Sequence, residues 1–183
     1  MNKTRKAAGR KKVGAKKVMR RSGKSPEIHC MMIPVDEEPL LLPTSVMAEV
    51  LDYTPPDSMD KSPPWLLGQV EWESRQVPVF SFSALINNHD PDEINPRSKI
   101  MILKSLSESA RVPYLGLVLT GLPRPVVVKE DSLMATGDEK KSLGVYSRIT
   151  IEDKEAIIPD LDRLTHLVTH ATLGALPITQ IDA

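Results

Sequence analysis

The feature that most constrains the fold is a hairpin pattern that the sequence contains twice. Residues 64–85 (PWLLGQVEWESRQVPVFSFSAL) place Val70 and Trp72 on one face of a strand, then pass through a polar turn at 73–76 and a second strand into one helical turn. Residues 149–164 repeat this order of strand, charged turn, strand and helix 79 positions later. The matching apolar positions are 70/149, 72/151, 79/158, 82/161 and 85/164.

A second pair of apolar stretches recurs in the same order, at an offset of 76. The apolar pair at 41–42 is matched by the pair at 117–118, and the pair at 50–51 is matched by the pair at 126–127. Because two stretches in one half correspond to two in the other, we predict two similar β-subdomains.

The remaining segments supply further strands and one amphipathic helix. The pattern predicts a hairpin from 27 to 43, strands at 99–103, 114–119 and 126–128, loops at 54–64, 87–96 and 137–143, and a helix at 160–172. The strand at 114–119 is apolar on both faces, which is typical of the core of a closed barrel. The helix opens with an acidic cap at Asp160 and should pack one face on the sheets.

Charge is segregated along the chain although it balances overall. The 183 residues carry 24 basic and 24 acidic side chains, but positions 1–24 hold eleven Lys or Arg and no acid, so the remainder has 13 bases against 24 acids and a net charge of −11. We expect residues 1–26 to form a disordered basic tail and residues 27–183 to form one folded domain. The tail is either a contact for nucleic acid, an anionic surface or an acidic partner, or a solvated extension, and its sequence leaves both interpretations open.

Two further features bear on the compartment. Cys30 is the only cysteine, which excludes an internal disulfide framework, and the basic opening is not followed by the apolar core of a secretory signal. No apolar run approaches the ~18 residues of a transmembrane helix. These features predict a cytoplasmic protein.

The sequence contains no recognisable catalytic or metal-binding motif. His166 and His170 have metal-ligand spacing on a helix, but Leu167 stands where a zinc protease needs glutamate, so a solvated helix face is the better interpretation. The run 29–32 (HCMM) is interpreted as a half-buried strand, because adjacent strand residues face opposite ways. We therefore predict no enzyme activity and no cofactor, metal or small-molecule substrate.

Several of these stretches resemble the CheW family of chemotaxis adaptor domains. The run Trp65-Leu66-Leu67-Gly68-Gln69-Val70-Glu71-Trp72, followed by Val77-Pro78-Val79, Phe82 and Leu85, is similar to the signature hairpin of that family. The segments 116–119 and 126–128 are similar to its second strand pair. Residues 40–43 (LLLP) and 158–162 (IPDLD), with the E-W of the hairpin, resemble more closely the ChpC-type adaptors of chemosensory systems that control type IV pili.

This resemblance implies a mainly β fold of two intertwined five-stranded SH3-like β-barrels, with short helices and a C-terminal helix. It also implies an adaptor that couples a CheA-type histidine kinase to the cytoplasmic tip of a methyl-accepting chemoreceptor. One departure is that Glu73-Ser74 replaces the Arg-Gly of the family's turn. The predicted partner contact is Glu71, Trp72, Glu73, Ser74, Arg75 and Gln76.

The alternative function is a small β-barrel protein that binds nucleic acid through its basic tail, although the acidic body lacks the basic aromatic face of such barrels.

Overall fold

The structure, a computed structural model, describes residues 27–36, 38–91, 93–106, 111–129, 133–136, 142–151 and 153–174. The predicted tail and most of the predicted loop at 137–143 lie outside these residues. The strands are β1 (Glu27–Ile33), β2 (Leu40–Pro43), β3 (Met47–Asp52), β4 (Leu66–Trp72), β5 (Arg75–Phe80), β6 (Lys99–Lys104), β7 (Tyr114–Leu119), β8 (Arg124–Lys129), β9 (Met134–Ala135), β10 (Val145–Ile151) and β11 (Lys154–Pro159). The helices are a 3₁₀ turn (Thr44–Val46), α1 (Phe82–Asn87) and α2 (Leu161–Thr172).

The described strands form two sheets with the same internal order. The first runs β8-β1-β2-β11-β10-β9 and the second runs β3-β6-β7-β5-β4. Apart from β9, each strand of one sheet has a counterpart in the other, and the one parallel pairing of each sheet, β2 with β11 and β5 with β7, falls at the same place. The expected repeat of two β-subdomains is therefore confirmed.

The two subdomains are intertwined because the chain changes sheet twice. It passes from β2 in the first sheet through the 3₁₀ turn to β3 in the second, and from β7 in the second sheet back to β8 in the first. The first barrel thus combines β1 and β2 with the C-terminal strands β8 to β11, whereas the consecutive strands β3 to β7 form the second barrel.

Each sheet curls round an apolar interior of its own and closes into a barrel. In the second barrel, residues from all five strands share one cluster, and the chain after β3 pairs with β4 through reciprocal bonds between Asp57 and Gln69 at 2.8 and 2.9 Å. In the first barrel, β9 performs this closure, because Ile149 and Thr150 of β10 pair with it. The expected barrels are confirmed.

A third and larger cluster lies between the barrels. The outward faces of the strands and the buried residues of both helices meet there, among them Phe80, Leu117, Phe82, Leu164 and Val168. Strands with an apolar face on each side are expected where both faces are buried. This explains why 114–119 is apolar throughout: Leu115, Leu117 and Leu119 face the shared core, while Val118 faces the barrel interior.

The structure corrects two details of the predicted repeat. The turn of the first hairpin contains only Glu73 and Ser74, so Arg75 and Gln76 belong to β5. The second pair of stretches corresponds at an offset of 75, not 76, because Leu42 and Leu117 both face the shared core whereas Leu41 faces the interior of the first barrel. Strand periodicity makes a one-residue error change the face on which a side chain lies.

The predicted C-terminal helix is confirmed as α2, which begins after Asp160 and ends at Thr172. Among the described residues, no helix is long and apolar enough to span a lipid bilayer.

Candidate functional site

The six predicted contact residues form the end of the β4–β5 hairpin, which we call the hairpin tip (residues 71–76). In the antiparallel register Trp72 faces Arg75 and Glu71 faces Gln76. Glu73 and Ser74 have φ values of 47° and 60°, as in the tight two-residue turns that suit the twist of a hairpin. This left-handed conformation favours glycine, and Glu73 and Ser74 adopt it here although the glycine of the family pattern is missing.

Trp72 is the half-buried centre of the hairpin tip. Its indole Nε1 donates a hydrogen bond of 2.7 Å to Oε2 of Glu49 on β3. Its ring lies edge-to-face against Tyr114 on β7, with centroids 4.8 Å apart and an interplanar angle of 67°. Because β3 and β4 are the two edges of the second sheet, the Glu49 contact joins those edges beside the barrel mouth.

Arg75 belongs to the same cluster. Its guanidinium carbon lies 6.0 Å from the centre of the Tyr114 ring, near the outer limit of a cation–π contact. Tyr114 thus contacts both Trp72 and Arg75, the two residues that face each other across the hairpin. Trp72 and Tyr114 pack against the interior of the second barrel, while five of the six tip residues are exposed.

The tip presents several charges to solvent. Glu71, Glu73, Ser74, Arg75 and Gln76 are exposed, as is Glu49. The three ion pairs found among the described residues are Lys99–Asp52, Lys129–Glu27 and Arg148–Glu38, so none involves the tip or Glu49. The surface therefore combines an aromatic side chain of fixed orientation with carboxylates that are not ion-paired within the described structure, an arrangement suited to contact with another macromolecule.

Sequence reasoning missed Glu49 and Tyr114. Glu49 lies 23 residues before Trp72, and its proximity depends on closure of the barrel. A model of the second sheet with β3 and β4 as its meeting edges would have found it, but no local sequence pattern carries that information.

No other described region has the chemistry of an active or metal site. No group of three or more His, Cys, Asp or Glu residues that could hold a metal ion occurs in the described parts of the chain, and His166 and His170 are exposed. Cys30 is buried, and this burial raises the pKa of its thiol, which disfavours the reactive thiolate. A cleft of about 430 Å³ between α1 and the first sheet is walled partly by the Arg148–Glu38 ion pair, and its described lining contains neither histidine nor cysteine.

The architecture defines a class of protein: two intertwined barrels, related by an internal repeat, with an aromatic and acidic hairpin tip at one end of the second barrel. The model of the CheW-like domain family matches residues 29–168. The chain therefore belongs to the CheW-like domain family.

A solved structure supports the same fold. The scaffolding protein TtCheW from Thermoanaerobacter tengcongensis is similar with a TM-score of 0.63 and 17% sequence identity, over 74% of this chain and 90% of that one. At this identity the likeness establishes the fold. A comparison with curated protein sequences gave no significant match.

Proposed function

We propose that this protein is a non-catalytic signal-transduction adaptor that couples a methyl-accepting chemoreceptor to a CheA-type histidine kinase. Family membership supports the adaptor role. The similarity of residues 40–43 and 158–162 to ChpC-type adaptors favours a chemosensory system that controls type IV pili and twitching motility.

The observation that carries the proposal is the construction of the hairpin tip. Aromatic residues that are partly buried and held by neighbours commonly contribute most of the binding energy of an interface. Trp72 meets this description, because Glu49 and Tyr114 hold its ring while Glu71 and Glu73 stand exposed beside it. We therefore place the partner contact at Glu71, Trp72, Glu73, Ser74, Arg75 and Gln76.

The remaining parts of the proposal concern organisation and location. Residues 27–183 form the adaptor domain, and residues 1–26 form an appended basic tail that contacts an acidic partner or anionic surface. The adaptor acts in the cytoplasm, where the kinase and the receptor tip are found. It uses no cofactor and no small-molecule substrate.

Nucleic-acid binding is the weaker candidate. Its only motivation is the charge of residues 1–24, whereas the domain that follows carries a net charge of −11 and would repel a polyanion. The family match lends it no support.

A binding comparison with the full-length protein tests the proposal. The protein is immobilised and exposed separately to the kinase's regulatory domain, to the receptor's cytoplasmic tip and to a duplex DNA of random sequence, each at 150 mM NaCl. The adaptor function predicts saturable binding to the first two. Binding to DNA alone would overturn the adaptor proposal in favour of the alternative.

A further inference from the structure

The contact between Trp72 and Glu49 can be compared with its counterpart inside the same molecule. Trp72 of the second barrel corresponds to Ile151 of the first, at the repeat offset of 79. Glu49 pairs with Ile102 on β6, and Arg124 pairs with Met32 on β1. Ile102 and Met32 both face the interiors of their barrels, so Arg124 occupies in the first barrel the position that Glu49 occupies in the second.

Among the residues that the structure describes, the first barrel has no equivalent of the hydrogen bond between Trp72 and Glu49. In the first barrel Ile151 is 3% exposed and offers no hydrogen-bond donor, and Arg124 offers no acceptor on its side chain. That barrel nevertheless closes, through the pairing of β9 with β10. The second barrel likewise has a backbone closure at Asp57 and Gln69. A side-chain bond across the edge strands is thus not needed to build a barrel of this type.

We infer that Glu49 is a positioning residue for partner binding, which fixes the indole of Trp72 as a pre-oriented anchor and extends the contact surface from the hairpin tip onto β3. This inference rests on the proposed function. An ionised acceptor forms a stronger hydrogen bond than a neutral one, so the carboxylate of Glu49 restricts the rotation of a side chain that is only half buried. Tyr114 restrains the ring from a second direction.

The partner that fits this surface is a basic protein surface. The carboxylate of Glu49 contacts the fixed indole, Glu71 and Glu73 are exposed on either side of Trp72 in the chain, and the guanidinium of Arg75 lies over the ring of Tyr114. An arginine or lysine of the partner would meet both an aromatic ring and negative charge there. Ordering the indole before association removes an entropy cost of binding, which corresponds to about a 3- to 10-fold gain in affinity.

The test uses three single variants of the full-length chain. Glu49→Ala removes the acceptor, Glu49→Gln keeps an acceptor oxygen without the charge, and Asp52→Ala is the matched control, because Asp52 is an exposed acid on the same strand that pairs with Lys99 instead. Binding to the kinase's regulatory domain is measured by surface plasmon resonance. The indole N–H resonance of Trp72 is followed by ¹H–¹⁵N NMR in the free protein.

We expect Glu49→Ala to shift the Trp72 indole resonance and to weaken binding about 5-fold, mainly through faster dissociation. Glu49→Gln should recover part of both effects, and Asp52→Ala should change neither. If the bond between Glu49 and Trp72 only stabilised the fold, Glu49→Ala would lower the melting temperature without changing the affinity of the folded protein.

A double-mutant cycle with Trp72→Phe completes the design. If Glu49 acts through the indole, Glu49→Ala has little further effect on binding once the N–H is absent. An equal loss in both backgrounds, or unchanged affinity in the single variant, would overturn the inference while leaving the adaptor proposal standing. A wild-type protein that binds neither kinase nor receptor fragment would overturn the proposed function itself, and the inference with it.

Discussion

Ser81 and Asp160, which stand 79 residues apart, begin α1 and α2 with the same hydrogen bond. Ser81 Oγ accepts from the backbone N–H of Ala84 at 3.2 Å, and Asp160 Oδ1 accepts from that of Arg163 at 2.9 Å. The next backbone bonds also match, from Leu85 N to Ser81 O and from Leu164 N to Asp160 O. The internal repeat therefore extends from apolar positions to the capping of each helix, although the capping residue differs.

The Asp160 cap should contribute measurably to stability. Replacing an N-cap aspartate with alanine typically costs about 1 kcal/mol, because a backbone N–H loses its acceptor. We expect Asp160→Ala to lower the free energy of unfolding by about that amount in urea titrations. Asp160→Asn should remain within a few tenths of a kcal/mol of wild type, and an equal loss in both variants would show that the cap is not the cause.

Gly68 should be intolerant of any side chain. Its φ is +142°, and a Cβ at this position would collide with the carbonyl oxygen of Asp57, at the closure of the second barrel. Gly68→Ala should lower the free energy of unfolding by about 3 kcal/mol or more, from backbone strain together with the broken closure.

Gly174 provides the matched control for Gly68. It also has a positive φ, of +68°, but a Cβ there would meet nothing within 4 Å. Gly174→Ala should therefore show only the conformational cost, about 1 kcal/mol. Equal melting temperatures for the two alanine variants would contradict the assigned role of Gly68.

The two tryptophans should differ in their contribution to stability. Trp65 is 6% exposed in the shared core, whereas Trp72 is half buried at the hairpin tip. We expect Trp65→Ala to cost about 3–5 kcal/mol and Trp72→Ala about 2 kcal/mol. Chemical denaturation of both variants checks this order, and a larger loss for Trp72 would place that residue among the main core side chains.

The ion pair of Asp52 and Lys99 should be visible in the titration of the carboxyl group. The hydrogen bond and positive charge of Lys99, 2.6 Å away, hold the pKa of Asp52 below its ordinary value. Because the pKa is lower in the folded state, the contribution to stability is present above the unfolded pKa and is lost as pH falls through the folded one. Carboxyl ¹³C NMR should show the pKa of Asp52 rising towards the ordinary value in Lys99→Gln, and an unchanged titration would contradict the pairing.

The sequence predicted much of the fold because its local signals were strong. Strict alternation identified the hairpins, and the repeat of Val70 and Trp72 at Ile149 and Ile151 identified the two halves, whose side chains occupy equivalent barrel interiors. The intertwining came only from the resemblance to a family, since the changes of sheet after β2 and after β7 leave no periodic trace. The wrong offset of 76 arose because Leu41 and Leu42 are both apolar and both buried, so hydrophobicity could not show which residue faced which core.

The hairpin tip was predicted only in part. Its six residues are contiguous in sequence and form the end of one hairpin, but their role as a partner contact came from the resemblance to the family and stays a prediction. Glu49 and Tyr114 reach Trp72 from other strands, and their participation depends on how the second sheet curls. Contacts created by barrel closure are long-range consequences of topology, which residue patterns do not encode locally.

The central claim is that the hairpin tip docks a signalling partner, and reversal of one exposed charge tests it most directly. Surface plasmon resonance would compare wild type with Glu73→Lys, and with Glu93→Lys as a control at an exposed loop position between α1 and β6. The analytes are the kinase's regulatory domain and the receptor tip, each measured from 50 to 300 mM NaCl. We predict that Glu73→Lys slows association with at least one of them and alters its salt dependence, while Glu93→Lys behaves as wild type. Unchanged binding of Glu73→Lys to both partners would contradict the claim and remove the hairpin tip from the interface.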